Sequence, residues 1–315
     1  MSKEKPIASR SEILFCYDAR MCNPNGDPDE NRPRIDRLTG RNLVTEFRLK
    51  RTIRDYLTKQ MNKPIFLREE IASNGTRKTI EDLAEAHVKK KSPRNELLKD
   101  YIDLRLFGLL FAVKDFHFKQ TGPVQFAIGE LLHKVEDMQI RMTRVIPTRE
   151  EAKAGTFGEK SILRYSFITF QGFINDHVAK EVELTEQDVS DMMKATWFGT
   201  TSLSTTSKYG QQARLLIRIK YNNQYAYVGD LLRRIKLETD LEEKSIQDIS
   251  QVNLNVSDLF NALGAKKADI DLIQWASDDD LHCKHDSSVV PFSKLIETWA
   301  KIAQMKQTNV LHEWT

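Results

Sequence analysis

Cations set at phosphate-like intervals are the residues of this chain best placed to do chemistry. Residues 32–54 hold eight of them, Arg32, Arg34, Arg37, Arg41, Arg48, Lys50, Arg51 and Arg54, against Asp36 and Glu46 alone. On a helix, Arg48 and Arg51 stand three apart and Lys50 and Arg54 four apart, so each pair shares a face. Such a face can neutralise successive phosphates without reading sequence; it can equally be a solvated helix surface. A second group lies on an alternating segment, Ala213–Tyr221, where Arg214, Arg218 and Lys220 fall with Leu216 on one side and Leu215, Ile217, Ile219 and Tyr221 on the other. Three cations on one strand face call for a polyanion or for an acidic neighbour. A third group, Arg141-Met142-Thr143-Arg144, mixes cations with an apolar side chain able to wedge between stacked bases, and precedes Gly155-Thr156-Phe157-Gly158, where glycine allows close backbone approach. A plain surface hairpin is the alternative.

Other chemistries find little support. The chain has no GxxxxGK[ST], HExxH, GxSxG or CxxC pattern. Carboxylates crowd the first loop (Asp18, Asp27, Asp29, Glu30, Asp36) and could hold a divalent ion, but Asp27 and Asp29 around Pro28 suit turn formation. His282-Cys283-Lys284-His285 lacks a second ligand pair at a zinc spacing, so no metal or cofactor is expected. Three cysteines, Cys16, Cys22 and Cys283, are too few for a disulfide framework.

The elements that would carry these residues can be read in order. Ser11–Ala19 is an apolar, aromatic-rich run expected as a buried strand. The turn-rich Asn23–Pro28 and a basic loop, Arg32–Arg41, follow. A helix is expected over 43–60, with Leu49, Ile53, Tyr56, Leu57 and Gln60 on one face and Leu43 and Phe47 widening the stripe. Residues 63–100 are charged and aperiodic and read as an insertion outside the core. Apolar stretches return at Leu104–Val113, Gly122–Leu132 and Leu163–Ile174, the last two separated by a polar excursion over 133–162. Thr185 followed by Glu186 and Asp188 marks a helix start, with an end near Gly199. The strand Ala213–Tyr221 comes next, and 229–315 reads as mostly helical, with loops at Asp278–Asp280 and Ser287–Pro291. This is a βαββαβ order, the ferredoxin-like or RRM-like plan of an α+β protein, enlarged by insertions. No RNP1-type aromatic signature marks its strands.

Composition agrees with a globular protein. Hydrophobic residues make up 40% and charged residues 30% of 315. No apolar run approaches a membrane span, and the polar first ten residues lack the apolar core of a secretory signal, so a cytoplasmic protein with no membrane contact is expected. The net charge of +3 conceals an asymmetry: residues 1–228 carry 38 Lys/Arg against 30 Asp/Glu, and residues 229–315 carry 10 against 15. A basic front and an acidic tail suit contact with a polyanion, or head-to-tail stacking of copies.

Asn23-Pro24-Asn25-Gly26-Asp27-Pro28, then Asn31–Asp36, then Leu43–Asp55 closely resemble the backbone-subunit family of CRISPR Cascade complexes, often called "Cas seven", nearest its type I-B branch. Gly122–Phe126, Gly155–Gly158, Gln171–Asn175 and Thr206–Gln211 add to a likeness covering about 11–230. The resemblance implies an RRM-like palm over 1–230 with helical fingers inserted at 63–100 and a thumb hairpin at 133–162, and a mostly helical part over 231–315 packed on the palm. It implies a subunit that is not an enzyme and that stacks in copies along CRISPR RNA, presenting it for pairing with target DNA. Its partners would be further copies of itself, a large subunit, a guide-end-capping subunit and a repeat-processing endoribonuclease. The RNA contacts it implies fall on Asn25, Arg34, Arg48, Lys50, Arg51, Arg54, Gln125, Arg141, Met142, Thr143, Arg144, Phe157, Lys208, Gln211 and Arg214. The alternative is a metal-dependent endoribonuclease subunit of a CRISPR effector complex, cutting with Asp27 and Asp36. A general RNA-binding module outside CRISPR is a third reading.

Overall fold

The computed structural model describes residues 6–88, 93–113, 116–143 and 157–314; for Ala86, Val88, Met142, Thr143, Phe157 and Gly158 it describes the backbone alone. Its centre is the strand Ser11–Cys22, whose alternating side chains serve two cores at once. Ile13, Phe15 and Tyr17 enter one hydrophobic cluster, and Leu14 and Cys16 enter another. A strand apolar on both faces must be covered on both, and this one is.

Antiparallel neighbours flank it. Phe157–Ile174 pairs along its whole length, from Ser11 opposite Ile174 to Cys22 opposite Leu163, and Gln211–Tyr221 pairs on the other side. Outside Phe157–Ile174 lie three short strands that pair with it in turn, Val124–Phe126, Gly129–Leu131 and Asp137–Thr143. Leu43–Val44 extends Gly129–Leu131. Beyond Gln211–Tyr221 come Ile270–Ser277 and then the parallel Gln307–Asn309.

Two helices cover the first face. Glu46–Lys59 starts at Thr45, whose side chain accepts from the Arg48 N–H, and buries Leu49, Ile53 and Leu57. Glu186–Thr201 starts with a reciprocal capping box between Thr185 and Asp188. That start falls where the sequence put it, and the end two residues later. The helices meet where the Tyr56 and Phe198 rings stack, 6.4 Å between centroids. The second face is covered by residues after 228, including Leu254, Phe260 and Phe292.

Several expectations need correcting. The chain after 229 is mixed, not mostly helical: Lys236–Glu238, Asn253–Asn255, His282–His285 and Ser288–Pro291 form a second sheet, and Ile270–Ser277 joins the main sheet, so pairing crosses the expected boundary at 230. Ser287–Pro291, read as a loop, is largely strand. Along His282–His285 the side chains alternate, burying Cys283 in the core and exposing His282. Residues 63–100 contain the helices Ile80–Val88 and Pro93–Asp100 and send Ile65, Phe66, Leu97 and Leu98 into the first cluster, so they belong to the core. Leu104–Val113 splits into a helix, Ile102–Phe107, and a strand, Gly108–Val113. Phe47 lies 73% exposed; at about 100° per residue it points well off the Leu49–Ile53–Leu57 stripe.

The helix cations divide by what lies opposite them. Asp103 is fully buried and accepts from the Phe66 N–H at 2.8 Å, the Leu67 N–H at 3.1 Å and Arg54 Nε at 3.0 Å. Arg54 is thus the counter-ion of a buried carboxylate. Arg51 sits at the surface, 3.0 Å from Asp55. Replacing Arg54 by Ala strands the buried charge and is expected to cost about 3–5 kcal/mol, whereas Arg51→Ala should stay within about 0.5 kcal/mol of the parent. Urea unfolding of both variants measures this; equal, small losses would contradict the assignment.

Candidate nucleic-acid interface

At one end of the sheet the central strand runs out at Cys22 and the chain turns through Asn23–Asn25. Asn25 Oδ1 accepts from the Thr45 N–H at 2.8 Å and the Thr45 hydroxyl at 3.0 Å, fastening the turn to the cap of the first helix. The Asn23 N–H donates to Ser207 O at 2.9 Å, and the Arg20 N–H to Gly210 O at 2.8 Å, fastening the same strand end to a turn over 204–210. Gly210 sits at φ +108, where a side chain would meet the Arg20 carbonyl, so only glycine closes this corner. Helix start, strand end and turn are one braced unit.

Its charge is positive, and its two central cations make no ion pair among the described residues. Lys208 Nζ donates to Asn23 O at 2.6 Å, and Arg48 Nη2 to the Thr52 hydroxyl at 2.9 Å; neither makes an ion pair among the described residues. Burial, then the neighbouring Arg48, pushes the Lys208 ammonium down to about 8, with Cys22 acting weakly the other way. Burial also lowers Arg48, with Tyr17 and Asp55 acting the other way. Lys160, at the base of the Asp137–Thr143 hairpin, donates to Thr206 O at 2.6 Å and braces the turn from the other side. The positive end of the first helix points into the same region. Two half-buried cations that act on each other electrostatically, with no ion pair to either among the described residues, suit a ligand that brings its own negative charge.

The structure sorts the expected contact residues. Asn25, Arg48, Lys208 and Gln211 come together here, Gln211 through its amide to Lys208 O at 3.2 Å. Arg34 is half-buried in the adjoining loop, its carbonyl accepting from Asn42 Nδ2 at 2.7 Å and the Leu43 N–H at 2.7 Å. Lys50 and Gln125 form a separate pair, Nζ to Oε1 at 3.4 Å, with Lys50 over the Phe107 ring. Arg51 and Arg54 face Asp55 and Asp103, as above. Arg141 is open to solvent, 3.5 Å from Glu159. Met142 and Thr143 pair through their backbones with Gly158 and Phe157, while Arg144 lies outside the described residues.

Arg214 is the clearest correction. The pairing jumps from Cys16–Leu215 to Tyr17–Ala213, which leaves Arg214 as the extra residue of a β-bulge. The bulge turns it to the face opposite Leu216 and Arg218, where it meets Asp18 at 2.9 Å and Asp278 at 2.8 Å. Arg218, 1% exposed, and Lys220 both engage Glu186, at 2.7 and 2.9 Å. The acidic neighbour that this strand calls for therefore comes from the chain itself.

Asp27 and Asp36 also have local employment. Asp27 Oδ1 accepts from the Asp29 and Glu30 N–H groups at 3.0 and 2.8 Å; Asp36 accepts from the Leu38 N–H at 3.0 Å and the Thr39 hydroxyl at 2.6 Å. These bonds hold both carboxyls below their ordinary range. Among the described residues no group of three His, Cys, Asp or Glu is placed to hold a metal ion, and no helix is long and apolar enough to cross a membrane.

Sequence reasoning missed Thr45, Asn23, Lys160, Phe47 and Tyr209 at this corner. Thr45, three residues before Arg48, carried a capping signal that an earlier helix start obscured; for Lys160 no local signal existed, since it arrives through sheet pairing.

The family model described as CRISPR-associated protein Cas7 matches residues 9–257. A protein of Haloferax volcanii named CRISPR-associated protein Cas7 is 28% identical over 97% of this chain and 98% of its own. Two solved chains share the fold: one from a "CRISPR RNA-guided surveillance complex, pre-nicking", with TM-score 0.57 and 12% identity over 96% of each chain, and one from a "CRISPR RNA-guided surveillance complex", with TM-score 0.53 and 14% identity over 94% of this chain and all of that one.

Lys208 gives a pH test with opposite signs. Its ammonium falls from an ordinary 10.5 to about 8 on folding, so the unfolded chain holds the extra proton between those values, and stability rises with pH across that window. A phosphate ligand favours the charged form, so affinity for single-stranded RNA should fall as pH rises through 8. Melting and binding curves from pH 7 to 10 are the measurement; Lys208→Gln should flatten both trends, and unchanged trends in that variant would refute the role.

Proposed function

The chain belongs to the Cas7 family of CRISPR-associated proteins, and on that premise we propose that it is the CRISPR RNA-binding backbone subunit of a Cascade-type surveillance complex. The observation that carries the reading is the Arg48–Lys208 pair, held at a braced corner of the sheet with no ion pair to either among the described residues. Such a pair grips phosphates and leaves the bases free, which is what a subunit must do if base pairing with target DNA is to read the sequence.

The finer reading follows the sequence. The central strand with its two helices and flanking strands is an RRM-like palm, the insertion over 63–100 is finger-like, and the excursion over 133–162 is the thumb. Copies stack head-to-tail along the guide, the basic corner of one facing the RNA. Target cutting lies with other proteins, because Asp27 and Asp36 are occupied in their turns. The resemblance nearest the type I-B branch, and a cytoplasmic site of action beside a large subunit, a guide-end-capping subunit and a repeat-processing endoribonuclease, complete the proposal.

A heterologous interface that does not close on itself builds filaments. Purified protein mixed with single-stranded RNAs of increasing length should grow in mass by one subunit per fixed RNA increment. A fixed dimer at every length, or no RNA binding, would refute the proposal. Arg48→Gln with Lys208→Gln should flatten the plot of log affinity against log salt by about one unit per cation lost.

A further inference from the structure

We propose that Phe47 and Tyr209 form a stacking platform for unpaired RNA bases beside the Arg48–Lys208 pair. The inference rests on the RNA-binding reading above and adds the residues that handle the bases. Both rings are exposed, Phe47 by 73% and Tyr209 by 76%. Each is the chain neighbour of one cation of the pair, Phe47 preceding Arg48 and Tyr209 following Lys208. Met21, 47% exposed at the end of the central strand, adds a third apolar side chain to the same corner.

Neither aromatic is explained by folding. Phe47 lies off the buried stripe of its helix, and phenylalanine is a middling helix former. The backbone under Tyr209 is strongly fixed although its ring is not: the N–H groups of Lys208 and Tyr209 both bond Thr205 O at 3.0 Å, Ser207 O accepts from Asn23, and Gly210 O accepts from Arg20. The backbone under Phe47 is fixed likewise, through the Thr45 cap on Asn25. Rings presented from rigid backbone lose little freedom on binding, which favours stacking.

The cations, unpaired among the described residues, decide the class of occupant. An apolar protein surface laid over these rings would desolvate Arg48 and Lys208 without neutralising them, a costly arrangement. A single strand brings phosphate for the cations and a π-face for each ring, and every base has such a face, so the contact is tolerant of sequence. The route used by many RRM-like domains, aromatics on the open sheet, is closed here: Tyr165 and Phe167 on the strand beside the central one are buried under the C-terminal part. The aromatics instead stand at the rim.

The test compares wild-type protein with Phe47→Leu, Tyr209→Leu and the double variant, on one RNA with its bases and on the same backbone made abasic, at several salt concentrations. Each leucine variant should bind the base-bearing strand about tenfold more weakly, with the salt slope unchanged and abasic binding unchanged. Phe47→Trp, which keeps a π-face, should retain wild-type affinity. Equal affinity of the leucine variants for the base-bearing strand, while Arg48→Gln with Lys208→Gln flattens the salt slope, would overturn the platform and leave the RNA-binding reading standing. An equal loss on both strands, or a loss of self-association without RNA, would make the rings protein contacts and overturn it too. Failure of the wild type to bind either strand would overturn the function itself.

Discussion

A strand buried on both faces sets the terms for the rest of this molecule. Polar or charged side chains on or beside the doubly buried stretch Ser11–Ala19 have little access to water, so each must find an internal partner or carry the cost of an unpaired buried group. Glu12 accepts from the Val228 N–H at 2.8 Å, the Gly229 N–H at 3.1 Å and the Tyr221 hydroxyl. Asp18 is met by Arg214 and by the Tyr165 hydroxyl at 3.1 Å. Arg218 is met by Glu186, by Gln274 at 3.1 Å and by Ser11 at 3.1 Å. The sheet consumes its own charges, and cations free to bind a ligand can survive only where it ends.

That division shapes the binding corner. After Ala19 the double burial stops, and beyond Cys22 the polar Asn23–Asn25 turn can bond sideways to the helix cap and to the 204–210 turn. The same bonds that end the strand therefore hold Arg48 and Lys208 in place. Lysine side chains help from two directions, Lys208 on Asn23 O and Lys160 on Thr206 O, so the hairpin base and the helix start are mechanically joined. A ligand lying on this corner touches elements that the fold has already locked together, and little ordering remains to oppose binding.

Much of this was legible beforehand. The apolar run of the first strand, the Thr185 helix start and the alternation of Ala213–Tyr221 are local signals, and local signals read well. The specific turn and helix blocks at 23–55 also carry the family resemblance. What stayed hidden depends on contacts far apart in sequence. The bulge that turns Arg214 around arises from pairing with Cys16 and Tyr17. Arg54 and Lys50 look alike in the sequence, and only Asp103, 49 residues away from Arg54, separates a structural cation from a candidate ligand. The C-terminal strands are short, and Ile270–Ser277 becomes recognisable as sheet once Gln211–Tyr221 offers it an edge.

The central claim is that RNA is held at the rim of the sheet, by residues around Arg48 and Lys208, and not on the strands. Ultraviolet cross-linking of the RNA-bound protein, with the modified peptides identified by mass spectrometry, addresses it directly. Cross-links concentrated at 45–48 and 205–210, with none on 212–220, are the predicted result. Cross-links on Arg214, Arg218 or Lys220, with 45–48 and 205–210 unmodified, would contradict the account.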